Sequence, residues 1–202
     1  GTNYVTVTDS TIISENISGN LGGGIFSSIV MVTNSITRDN RAINSSGGGI
    51  FSNDITTINN STISGNEAGN NGGGVSSEYL TSNNSTISGN TAGGDGGGVF
   101  TEYTTTVSSS TISENIAGSD GGGVYVYSGT AKVTNSTISG NIAGSNGGGV
   151  YVNGGTTTVT NSTISESDAI TGIGGGVYSS LDVKSSIIAI NGNDNIFNTG
   201  FS

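Results

Sequence analysis

The sequence predicts an all-β fold, a single-stranded parallel β-helix of about eight coils with ~25 residues in each. Three observations predict it. Triple glycines begin at Gly22, Gly47, Gly72, Gly96, Gly121, Gly147 and Gly174, in steps of 25, 25, 24, 25, 26 and 27 residues. Glycine supplies 37 of the 202 residues, while Pro, Cys, Trp and His are absent and only 9% of residues are charged, which leaves little helix-forming chemistry. Val, Ile and Thr are plentiful, unlike the composition of a disordered chain, so an ordered β protein follows.

Each unit reads approximately V-T-N-S-T-I-S-G-N-x-A-G-x-x-G-G-G-V-Y, followed by a short variable segment such as Tyr127 to Gly129 or Asn153 to Gly155. Val133 and Ile138 are flanked by the polar Thr134, Thr137 and Ser139, as in a strand with one buried face. They lie an odd number of residues apart, so both face inward only if the chain bends near Asn135-Ser136. Gly140 and the run Gly147 to Gly149 supply the other corners, where glycine allows a tight turn or a positive φ. Three short strands and three bends make one coil. Eight coils stacked ~4.8 Å apart give a rod roughly 40 Å long. The chain reads as a single domain over 1–202, with an atypical last coil at 181–202.

Stacking turns repeated residues into columns. Asn16, Asn40, Asn66, Asn90, Asn115 and Asn141 form one, and Asp9, Asn34, Asn60, Asn84, Asn135 and Asn161 another. Both are read as ladders in which each amide hydrogen-bonds its equivalents above and below. Asn60, Asn84, Asn135 and Asn161 also lie in N-S-T sequons, so glycosylation is the alternative for those four. Ile63, Ile87, Ile112, Ile138 and Ile164 are the expected apolar spine.

The elements G-G-G-[IV]-[FY] and I-S-[GE]-N resemble the GGAI and FxxN repeats of polymorphic outer-membrane autotransporter passengers, over nearly the whole chain. The stretch Ser186-Ile187-Ile188-Ala189, with Asn191 and Asp194-Asn195-Ile196-Phe197 after it, is similar to the final coil of large β-helix surface proteins. The resemblance implies a secreted or surface-displayed rod, often adhesive, with no catalytic residues to carry over. Together with the general twist preference it implies a right-handed coil.

The charge of -10 comes from 14 acidic residues against Arg38, Arg41, Lys132 and Lys184, so no basic patch exists for a nucleic acid. Without His or Cys, and with cations this scattered, nucleophile–base sets and the Asp-with-Lys/Arg clusters of glycan-cleaving β-helices are not expected. The nearest approach to one is Arg38 and Arg41 beside Asp39. The expectation is a protein that is not an enzyme and has no cofactor. The chain starts Gly1-Thr2-Asn3 and has no transmembrane run, as expected of a mature product or an excised segment located outside the cell, with no membrane insertion here. One metal alternative remains at Asp95 and Asp120, which occupy the same slot in adjacent units and would repel unless calcium bridged them or the loop were solvated.

Two surface arrays are candidate sites. Thr62, Thr86, Thr111, Thr137 and Thr163 form a rank beside Ser64, Ser88, Ser113, Ser139 and Ser165. This lattice resembles the T-x-T faces of β-solenoid antifreeze proteins, which implies ice binding, whereas its plain reading is a solvated strand. The first two units depart from it: Asp9 to Asn16 holds one extra residue, and Ile36-Thr37-Arg38 stands where Thr-Ile-Ser is expected. The second array is aromatic: Phe26, Phe51, Phe100, Tyr125, Tyr151 and Tyr178, interrupted by Ser76. Val124-Tyr125-Val126 puts the rings outward, able to stack on surface glycans, while Ser27, Ser52, Thr101 and Ser179 at the second Val position argue for rings in the core. Both placements stay open on sequence alone. Finally, no amphipathic helix precedes Tyr4-Val5-Thr6-Val7, so unpaired end strands make self-association, end to end or lateral, the expected partnership.

Overall fold

The computed structural model describes residues 3–198, and among them every regular element is a strand. One coil shows the plan. Val75–Asn83 lies in the first sheet, Thr86–Ser88 in the second and Thr91–Ala92 in the third. The chain then passes through Gly96, Gly97 and Gly98 into Val99–Ser108, which pairs in parallel with Val75–Asn83. Repetition builds three parallel sheets of 12, 8 and 7 strands around one core, the first being larger because some coils split their strand in two.

The turn count is about seven rather than eight. Among the described residues the third sheet ends at Asp168–Ala169, and no further third-sheet strand follows Ile187–Ala189. Instead Ile196–Asn198 pairs directly with Val177–Ser179, so the last stretch is only part of a turn.

The core is a set of columns. Ile63, Ile87, Ile112, Ile138 and Ile164 are fully buried and pair in strict register. Val107, Val133 and Val159 make a second column, and Val75, Val99, Val124, Val150 and Val177 a third. Each buried Val or Ile adds ~1.5–3 kcal/mol of apolar burial, and identical neighbours let every coil use the same rotamer. The second unit does not break this register. Ile12, Ile36 and Thr62 align, as do Ile13, Thr37 and Ile63, because the extra early residue is absorbed at Asp9 and Ser10, both with positive φ. Thr37 therefore occupies a spine position, and its buried hydroxyl has no hydrogen-bond partner among the described residues.

Corners interrupt the backbone ladders, and side chains replace them. At the corner between the second and third sheets the predicted Asn column is a buried ladder. Asn66 Nδ2 donates to Asn90 Oδ1 at 2.9 Å, and the same link runs from Asn16 to Asn141. In the middle of the ladder the amide is saturated: Asn90 Oδ1 also accepts the Asn66 backbone N–H, and Asn90 Nδ2 also donates to the Ile63 carbonyl. The other predicted Asn column is not a ladder. Asn34, Asn60, Asn84, Asn135 and Asn161 are exposed or nearly so, with φ of 48° to 50°, and only Asn84 and Asn60 share a side-chain hydrogen bond. Asn recurs there because it tolerates the left-handed conformation the bend requires. The buried ladder at that corner belongs to the next residue: Ser61, Ser85, Ser110, Ser136 and Ser162 each accept the N–H of the serine one coil earlier and donate to the carbonyl two residues back.

Candidate functional site

The second sheet carries the threonine and serine ranks. Thr62, Thr86, Thr111, Thr137 and Thr163 pair in unbroken register, as do Ser64, Ser88, Ser113, Ser139 and Ser165, so the structure brings all ten onto one face. All are half-buried, with the fully buried Ile between them. The lattice repeats ~4.8 Å along the rod and ~6.7 Å across it, the spacings of a parallel sheet. Ile12, Ile36 and Ile187 continue the threonine rank at its two ends with apolar groups.

The aromatic column settles neither simply outward nor simply inward. Val124 and Val126 both face the core, so Tyr125 between them points away from it. The hydroxyls that had argued for rings inside are themselves buried and satisfied: Ser52 Oγ donates to the Ser28 carbonyl, and Ser179 Oγ donates to Thr157 Oγ1 at 2.8 Å. Phe100 and Tyr125 are nevertheless buried. Successive rings cover each other. Phe100, Tyr125, Tyr151, Tyr178 and Phe197 stack with centroids 4.7 to 5.2 Å apart, and Phe26 packs on Phe51 at 5.7 Å. The stacked faces are occupied by neighbouring rings, so a sugar meets ring edges there. Burial, reinforced by the Asp95 charge, raises the Tyr125 phenol above its ordinary range, and burial followed by the Asp120 charge raises Tyr151.

An exposed aromatic pair lies elsewhere and was missed from sequence. Tyr79 and Tyr103 are each about two-fifths exposed, and their rings lie 5.2 Å apart. Their 24-residue spacing, equal to the step between the glycines at 72 and 96, was the signal.

Asp95 and Asp120 stack as expected, and the loop uses their oxygens. Asp95 N donates to Asn71 Oδ1, Asp120 N to Asp95 Oδ1, Asn146 N to Asp120 Oδ1 and Ile173 N to Asn146 Oδ1, at 2.7 to 3.2 Å. This third corner ladder explains why Asn and Asp interchange in the slot: either supplies the required acceptor. Partial burial raises the Asp95 pKa, the Asp120 N–H opposes this, and the Asp120 charge adds to it. Among the described residues no group of three or more carboxylates is arranged to hold a metal ion.

The cations are spread over the surface. Arg38 pairs with Asp39 at 2.7 Å, Arg41 with Glu67 at 3.0 Å and Lys184 with Asp182 at 3.2 Å, all well exposed. Such pairs contribute at most ~1 kcal/mol. The Arg38, Arg41 and Asp39 grouping is thus divided between two surface ion pairs. No helix of the described residues is long and apolar enough to cross a membrane.

Comparison with curated proteins and with solved structures gives no match. Residues 84–102 match the Chlamydia polymorphic membrane protein repeat. That segment runs from the Asn84 bend through Asn90 of the ladder and the glycines 96–98 to Glu102, the parts that recur in every coil. In this segment the chain is similar to the polymorphic membrane protein repeats.

Proposed function

We propose that this chain is a rigid, non-enzymatic segment of a surface-associated structural or adhesive protein. The observation that carries this reading is the polymorphic membrane protein repeat match over 84–102, set in a solenoid whose three corners are filled by packing ladders. On this reading residues 1–202 act as one unit, located outside the cell. The coil is right-handed, the hand nearly always taken by crossovers between parallel strands. Immunogold labelling of thin sections of cells of the source organism, with an antibody raised against the folded chain, tests it. Label on the outer surface is expected; label confined to the cell interior would overturn it.

Self-association belongs to the same reading. Val5 and Ile13 in the first described coil, and Leu181 and Ile188 in the last turns, sit at core-facing positions but are only partly buried, which leaves apolar surface for stacking of a second copy. Electron microscopy of the purified chain should then show filaments, and dispersed particles at high concentration would contradict it.

The unbroken Thr and Ser register supports a second reading, ice binding. Thr111→Tyr at mid-rank should abolish thermal hysteresis while leaving the fold intact. Hysteresis that survives the substitution, or is absent from the parent, would end this reading.

A further inference from the structure

The aromatic column lacks one ring, and the gap is a slot one ring thick. The interrupting residue, Ser76, is in register with Phe51 on one side and Phe100 on the other. Two coil steps, ~10 Å, therefore separate those rings. A flat group placed midway would lie about as far from each as neighbouring rings elsewhere in the column lie from one another, 4.7 to 5.2 Å. A cleft of about 250 Å³ opens at this point, lined by Phe51, Ser76, Ser77, Phe100, Glu78 and Glu102 among others. Ser76 is only 4% exposed, and its hydroxyl, which borders the cleft, hydrogen-bonds no described residue.

We propose that this slot binds the guanidinium group of an arginine side chain carried by a partner polypeptide. Shape and charge select it together. The π-faces of Phe51 and Phe100 carry negative potential and attract a cation, and guanidinium is the flat protein cation that stays charged at physiological pH, where imidazolium is largely neutral. Glu78 and Glu102 border the cleft, and neither takes part in an ion pair among the described residues. A guanidinium stacked between the rings directs its N–H groups outward in plane, toward these carboxylates and the Ser76 hydroxyl. No Lys or Arg lines the cleft to receive the α-carboxylate of a free amino acid, which is why the occupant is a side chain within a polypeptide.

The test is a titration of the ¹⁵N-labelled chain with N-acetyl-arginine methylamide, followed by amide chemical shifts. Shifts confined to the Phe51, Ser76, Ser77 and Phe100 neighbourhood are expected, saturating with a dissociation constant on the order of millimolar. N-acetyl-lysine methylamide should bind at least ~5-fold more weakly, because an ammonium cannot stack. The double variant Glu78→Gln with Glu102→Gln should lose about tenfold in affinity. Ser76→Phe fills the slot with the missing ring, so it should abolish the shifts while the melting temperature stays level or rises, which separates blocked binding from misfolding. Equal binding of the lysine or a tyrosine probe, binding retained in Ser76→Phe, or free L-arginine binding tenfold tighter than the blocked form would each overturn the proposal.

Discussion

Asn90→Ala removes the centre of the buried amide ladder, and its effect can be worked from four hydrogen bonds. Asn90 Nδ2 donates to Asn115 Oδ1 at 2.9 Å and to the Ile63 carbonyl at 3.1 Å. Its Oδ1 accepts the Asn66 backbone N–H at 3.0 Å and Asn66 Nδ2 at 2.9 Å. At ~1 kcal/mol net each, their loss amounts to ~4 kcal/mol, and the Asn66 N–H left buried without an acceptor adds ~1 kcal/mol or more. Out of a total stability on the order of 5–15 kcal/mol, this is a large fraction. Urea unfolding followed by far-UV circular dichroism should show a midpoint lowered accordingly. Asn84→Gly is the control: Asn84 is exposed with φ 48°, a conformation glycine adopts freely, so its midpoint should move by less than ~1 kcal/mol equivalent. A loss below ~1.5 kcal/mol in Asn90→Ala would refute the claim that the ladder holds the corner.

Three further predictions concern other columns. Thr37→Val removes a buried hydroxyl without a partner from the isoleucine spine and should stabilise the chain by ~1–2 kcal/mol in the same assay; no gain would mean that the hydroxyl is satisfied in solution. Gly97→Ala drives a Cβ into the backbone of Gly122 and Ile116 in the next coil and should lower stability by ~3 kcal/mol or more, whereas Gly89→Ala, in open space at φ +61°, should lower it by only ~1–2 kcal/mol; equal effects would contradict the packing reason given for the triple glycines. Asp95→Asn mimics the protonated carboxyl while keeping the acceptor that Asp120 N uses. Because the folded pKa of Asp95 is raised, this group's contribution is full below its ordinary value of 3.8 and is lost as pH rises through the folded pKa. The variant should therefore unfold at higher urea than the parent at pH 7, with the advantage gone by about pH 3.

Much of this fold was legible in the sequence because a solenoid writes its spacing directly into the chain. The glycine period located each coil, and the isoleucine spine and the Asn16-to-Asn141 column followed from stacking like on like. The second Asn column was misread because Asn serves two purposes. It can hydrogen-bond its equivalents, or it can tolerate φ near +50°, and only burial separates them. The serine ladder was hidden beside it, since Ser at a corner reads as an ordinary turn residue. Tyr125 was ambiguous for a different reason: alternation along a strand says which way a ring points, not what packs against its faces. The interrupted ring at Ser76 was visible in the sequence, but its meaning as a slot needed the stacking geometry of the rings around it.

The central claim, that the chain is a rod assembled from equivalent coils each held by its corner ladders, is tested most directly by pulling the folded chain from its two ends in a force spectrometer. The account predicts stepwise rupture with one step per coil, each releasing about 25 residues or ~85 Å of contour length. Smooth extension without force peaks would contradict it.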